Sequence, residues 1–326
     1  MQTLLDRKLL VITGKGGVGK TTMAAALGLV AARHGKRTLI VELGQENRLP
    51  LLFGRDPTPQ GSECALEERL SSITIDPDRA LLEWLQVLGG RVSGRVLASS
   101  GTFQYFAAAA PGARELVSMV KIWRMTGGGQ TRTRTGAHDL VVLDAPATGH
   151  ALGLLGSPHT FGAIARVGPI AGQTRQVREL LESPAQSAYL AVALGTEMAV
   201  TEALELEQGL RARLGRGLEA VLVNQLLPRR FSAQELEQLA ALERDGDGAR
   251  ERAAHGAGPG DAQRRAAVAS AAAAARTVHD RARFQHNQLA RLRRREFEVW
   301  GVPFMWGAEL DLSGVKEITA RLERRL

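Results

Sequence analysis

Nine consecutive residues, Gly14-Lys15-Gly16-Gly17-Val18-Gly19-Lys20-Thr21-Thr22, constrain the fold of this chain more than any other stretch. They follow the apolar run Lys8 to Thr13. After them Met23, Ala26, Leu27, Val30 and Ala31 recur at helical spacing, and Gly35 closes the run. The order predicts a strand, a glycine loop and a helix start. A triphosphate crowds several negative charges together, so its site needs backbone N–H groups that can close in, and most side chains would block them. Gly14, Gly16, Gly17 and Gly19 remove that obstruction, with Val18 inside the same cradle. Lys20 would place its ammonium near the β- and γ-phosphates. The Thr21 hydroxyl would complete the shell of a Mg²⁺ ion, with Thr22 beside it. These are the parts of a phosphate-binding P-loop.

Lys15, the second residue of the loop, narrows the class. K-G-G-x-G-K-[ST]-T is the deviant Walker A pattern, and the chain resembles the nucleotide-dependent dimerising ATPases that include MinD, ParA, nitrogenase iron protein and the ArsA-type pumps and targeting factors. The resemblance implies that Lys15 reaches across a dimer interface to phosphates bound by the partner.

Arg37 to Leu43 is a second, nearly all-apolar strand, of the kind a parallel sheet covered on both faces requires. With the first strand and helix it makes a βαβ unit. Glu42 to Phe53 leaves its carboxyl end, where open α/β sheets place ligands and a first switch loop belongs. In ArsA-type proteins and MinD an aspartate near the start of this loop positions the attacking water; here Gly44 takes that place. Glu42 and Glu46 are the nearest carboxylates and the candidates to substitute.

His138 to Leu143 reads as a third buried strand, ending in Asp144-Ala145-Pro146-Ala147-Thr148-Gly149-His150. An apolar strand ending in Asp beside a P-loop is Walker B logic: the Asp144 carboxylate faces the Mg²⁺ shell through water. The stretch from Asp144 to Leu155 resembles the second switch of the ArsA-type ATPases, D-T-A-P-T-G-H-T. Pro111-Gly112-Ala113-Arg114-Glu115 resembles the element before that family's helical subdomain. Met198 to Glu202 resembles a segment in which a glutamate approaches the partner's nucleotide, with Glu202 the match. Asn224-Gln225-Leu226-Leu227 matches the family's V-N-Q-L-L, whose asparagine reads adenine, and an amide offers the donor and acceptor which that edge demands. Pro303, Phe304 and Met305, in a last strand and turn, fall where the family's backbone flanks the base. The implied fold is an α/β three-layer P-loop NTPase, with a mostly parallel twisted sheet flanked by helices and a helical subdomain.

At 326 residues one such domain can span 1–326, with a helical insertion at about 77–130. Within Gly89 to Met125, residues such as Phe103, Tyr105, Phe106, Leu116, Val117, Met119, Val120 and Trp123 suit either core or an apolar groove for a client. Gly127 to Thr135 reads as a surface loop. Arg229 to Arg295 reads as mostly helical; within it, residues 245–275 are biased toward Ala, Gly and Arg, and part of that segment reads as mobile. The formal charge of +8 is spread over helices that also carry Glu, so nucleic acid is not an expected partner. Cys64 is the only cysteine, which rules out an internal disulfide. The paired-cysteine zinc site of the tail-anchor escorts has no counterpart either, so no zinc is expected. A leader and a membrane span are not evident, and a cytoplasmic setting is expected.

The resemblance thus implies ATP and Mg²⁺ as cofactors and slow hydrolysis of ATP to ADP and phosphate. It also implies a homodimer, or a heterodimer with a paralogue, that cycles with a hydrophobic client or membrane-protein partner. The alternatives are a non-catalytic nucleotide-binding subunit, for want of the switch aspartate, and a MinD/ParA-like positioning ATPase.

Overall fold

The computed structural model describes residues 3–88, 112–128, 138–164, 169–232, 234–242, 244, 259–306 and 310–326. Among the described residues eight strands form one sheet, in the order β3-β4-β2-β5-β1-β6-β7-β8. They are β1 (Leu9–Gly14), β2 (Thr38–Leu43), β3 (Cys64–Glu67), β4 (Leu70–Ile75), β5 (Leu140–Ala147), β6 (Ser187–Leu194), β7 (Ala220–Leu226) and β8 (Glu298–Pro303). All pairs are parallel except β3 with β4, an antiparallel edge hairpin. The first strand–helix–strand unit does not join neighbours, because β5 lies between β1 and β2.

The apolar strands bury both faces, which makes three layers. Leu9, Val11, Val141 and Leu143 belong to one core. It is closed by α3 (Pro77–Leu88), α4 (Ala113–Met125), α5 (Thr148–Ile164), α6 (Pro169–Glu182) and α7 (Glu197–Leu214). Leu10, Ile12, Val142 and Leu190 belong to the other. That one is closed by α1 (Lys20–Arg33) and α9 (Leu312–Leu322). Ten of the fourteen residues of α1 are buried, so this helix is enclosed between sheet and α9 rather than laid on a surface. β1 feeds α1 on one face while β5 feeds α5 on the other. The crevice beyond their carboxyl ends is therefore the switch point at which open α/β sheets bind ligands.

The described part of the helical region pairs α3 with α4 through Asp78–Arg114 at 2.8 Å and Glu83–Lys121 at 3.0 Å. The Trp84 indole N–H reaches Gln173 of α6 at 3.0 Å. Leu116, Val117, Met119, Val120 and Ile122 are buried core. Phe103, Tyr105, Phe106, Pro111 and the Thr131 to Thr135 loop lie outside the described residues. Of the low-complexity stretch, residues 245–258 lie outside them as well; from Pro259 the chain is a helix, α8 (Pro259–Leu292), as the helical reading of Arg229 to Arg295 expects. Alanine has the highest helix propensity and its small side chain permits close approach. The helix seats Ala272, Ala282 and Leu289 in the interior, against α7 and β7.

Candidate functional site

Two cavities flank the glycine loop. The first, of 610 Å³, is lined by Gly17, Gly19, Lys20 and Thr21 of the loop, by Glu42 to Glu46 and Arg48 after β2, and by Asp144 to Pro146 after β5. The second, of 460 Å³, lies on the other side of Gly17 and Gly19. Thr22, Asn224, Gln225, Pro303, Phe304 and Trp306 are among its lining. One pocket thus has the cations, hydroxyl and carboxylates that a Mg²⁺-phosphate group needs, and its neighbour has amides and rings.

The loop is built to tight tolerances. Gly14 leaves β1 at φ +146, and a Cβ there would sit 2.1 Å from the Val192 carbonyl oxygen of β6. Its demand for glycine is therefore set by strand packing rather than by a ligand. Gly19 has φ +97, and its Cβ would meet the Asn224 amide nitrogen at 2.5 Å. Gly16 faces open space. The Val18 side chain is buried, and its carbonyl accepts from Asn224 Nδ2 at 2.9 Å. Asn224 Oδ1 in turn accepts from the Gln225 N–H at 2.9 Å. The amide therefore braces the loop and keeps one N–H and one carbonyl lone pair for a ligand.

In the first cavity the Thr21 hydroxyl donates to Asp144 Oδ2 at 2.5 Å. Asp144 Oδ1 is buried with no hydrogen-bond partner among the described residues. A buried carboxylate oxygen is seldom left alone, and a hydrated Mg²⁺ held by Thr21 and Asp144 fits both observations. Burial, outweighing the Thr21 hydrogen bond and the Lys20 charge, pushes the Asp144 carboxyl up. Burial likewise pushes the Lys20 ammonium down. Lys20 Nζ donates to the Lys15 carbonyl at 3.0 Å, which folds the loop around the cavity. Thr13 Oγ1 donates to the Pro146 carbonyl at 2.9 Å and ties the end of β1 to the segment after β5.

Glu42 stands opposite Asp144 in the β2–β5 register and is only 5% exposed. Desolvation first, with the Asp144 charge adding to it, pushes its carboxyl up to about 7, against the pull of N–H groups from the next segment. Glu46 behaves differently. Its side chain is 70% exposed and paired with Arg48. Lys15 lines neither cavity; its Nζ contacts Met198 Sδ and Glu202 Oε1, the latter at 2.8 Å. Thr148 and Gly149 are the first turn of α5 rather than free loop, and His150 is exposed.

Sequence reading did not single out Arg48, Gln45 or Trp306 as lining residues. Trp306 makes an edge contact with Phe304 at 4.9 Å between ring centres and lies under Arg230. An exposed aromatic beside the Pro303-Phe304 turn was the available signal.

The family model of the anion-transporting ATPases, ArsA_ATPase, matches residues 7–167. The chain is 33% identical over 250 residues, 74% of its length, to the putative ATPase Mb3704 of Mycobacterium bovis, covering 72% of that protein. The ATPase BagA of Mycobacterium tuberculosis matches to the same extent. The chain belongs to the ArsA-type ATPase family. A shorter similarity, 29% over 166 residues, links this ArsA-type chain to the ATPase GET3 of Paracoccidioides lutzii, spanning 48% of the chain and 46% of that protein. As a family member it is an ATPase, and ATP and Mg²⁺ are the general requirements of its class. Among the described residues no helix is long and apolar enough to cross a membrane.

Proposed function

We propose that this ATPase is a dimeric switch, in which ATP closes two chains over two nucleotides and hydrolysis reopens them. The observation that carries this reading is the placement of Lys15. It leaves its own phosphate cavity to Lys20 and stands half-buried beside exposed Met198, in a solvent-open ion pair with Glu202 that a phosphate held by another chain would displace. Lys20 and the loop N–H groups bind the β- and γ-phosphates, Thr21 and Asp144 hold Mg²⁺, and the second cavity takes the adenine between Asn224 and the Pro303-Phe304 turn. Bound Mg²⁺ would supply charge neutralisation at the phosphates.

The cycle serves a hydrophobic client or a membrane-protein partner, and the chain works in the cytoplasm as a homodimer or with a paralogue. A pump subunit for metalloid anions is less well supported, since Cys64, the only cysteine, is buried and offers no thiol cluster. Single-turnover hydrolysis with Lys20→Ala tests the site. A rate equal to wild type would remove the assignment. Lys15→Ala should abolish ATP-driven association, read by light scattering, while leaving monomer binding of ATP intact. Association that survives would remove the dimer reading.

A further inference from the structure

The family's switch aspartate has no counterpart at Gly44, so the carboxylate that orients the attacking water must come from elsewhere. Gly44 itself has φ +135, a conformation L side chains rarely adopt, so the backbone is not shaped to carry one there. Two carboxylates of the segment line the first cavity. Glu46 points outward and is engaged by Arg48 Nε at 2.6 Å. Glu42 is enclosed, level with Asp144 and on the same cavity as Lys20 and Thr21.

What holds Glu42 is loose. Its oxygens accept from the Arg48 and Leu49 N–H groups at 3.3 and 3.4 Å, at or beyond the upper end of ordinary hydrogen-bond length. The Thr74 hydroxyl has one proton and lies closer to Asn47 Oδ1, at 3.2 Å, than to Glu42 Oε2, at 3.5 Å. A carboxylate has about four acceptor sites, so these contacts leave lone pairs for a shorter, better partner. Two of its donors are the first N–H groups of the short helix that follows, α2 (Arg48–Leu52), so the carboxylate lies against the switch segment.

We infer that Glu42 is the positioning residue for hydrolysis, accepting a hydrogen bond from the water that attacks the γ-phosphorus. The water oxygen bonds to phosphorus as the bond to the β–γ bridging oxygen breaks and its electron pair stays with ADP. One water proton remains on the released phosphate and the other passes to solvent. The inference rests on the first cavity being the γ-phosphate site.

The test compares wild type, Glu42→Gln, Glu42→Asp and Glu46→Gln in single-turnover Mg²⁺-ATP hydrolysis, with ATP affinity measured by calorimetry and folding by thermal melt. Glu42→Gln should lower the rate about 100-fold with ATP affinity changed by less than about threefold and no loss of melting temperature. Glu42→Asp, which keeps the charge, should lie between it and wild type. An unchanged Glu42→Gln rate, a loss confined to Glu46→Gln, or rate, affinity and melting temperature falling together would each overturn the assignment. An active wild type with any of those outcomes leaves the site reading standing; a wild type that neither binds nor hydrolyses ATP overturns both.

Discussion

Glycines of one motif are held by different forces, and substitution separates them. A Cβ on Gly14 strikes the Val192 backbone at 2.1 Å, an oxygen that cannot swing aside as a side-chain tip could. Gly14→Ala should therefore destabilise the fold by about 3 kcal/mol or more, seen as a lower urea midpoint. Gly16→Ala meets nothing within 4 Å. Its stability should stay within about 0.5 kcal/mol of wild type, and any defect should appear only as weaker ATP binding. Glu42 gives a second residue-scale expectation. Its carboxyl titrates near 7 when folded, against 4.5 for the ordinary group. Below that lower value both states are protonated and nothing is lost. As pH rises toward 7 the unfolded chain releases its proton while the folded chain keeps it, so stability falls by about 3 kcal/mol and then levels off. In nucleotide-free, Mg²⁺-free protein, Glu42→Gln should match wild type in urea at pH 4 and exceed it at pH 8.

Most elements were legible because long apolar runs and glycine punctuation announce them. β1, β2 and β5 fall within a few residues of the runs that predict them, since each is buried on both faces and leaves an unbroken signal. β3 escaped because Cys64–Glu67 is four residues long, alternates buried with exposed, and is defined by pairing with β4 rather than by its own composition. The packed face of α8 was obscured by the opposite problem: its sequence reads as helical but lacks the large side chains that mark a buried face, yet alanine packs closely once a helix forms. Strand order is not carried by any one strand, so the insertion of β5 between β1 and β2 had no local trace. At the site, the meeting of the loop, Thr21 and Asp144 on one cavity is legible in the order of strand, glycine loop and strand-end aspartate. The burial of Glu42 and the pairing of Lys15 with Glu202, 187 positions away, are not, because both depend on which strand ends meet.

At the scale of the whole molecule, the two residues that the family resemblance assigns to a partner's nucleotide are paired with each other in the isolated chain. Lys15 Nζ lies 2.8 Å from Glu202 Oε1, with side chains 35% and 29% exposed. An ion pair so open to water is worth about 0–1 kcal/mol, small against the charge of a triphosphate. Closure of a dimer would exchange Glu202 for a partner's γ-phosphate at Lys15, and Glu202 then acts as a competitor that weakens association. Removing the competitor with Glu202→Gln should tighten association driven by a slowly hydrolysed ATP analogue by about two- to fivefold, the equivalent of that ion pair. Lys15→Ala should abolish association in either background. Sedimentation across a concentration series measures both. If Glu202→Gln instead weakens the dimer, the glutamate acts on the partner's nucleotide, and its contact with Lys15 is incidental to the free chain.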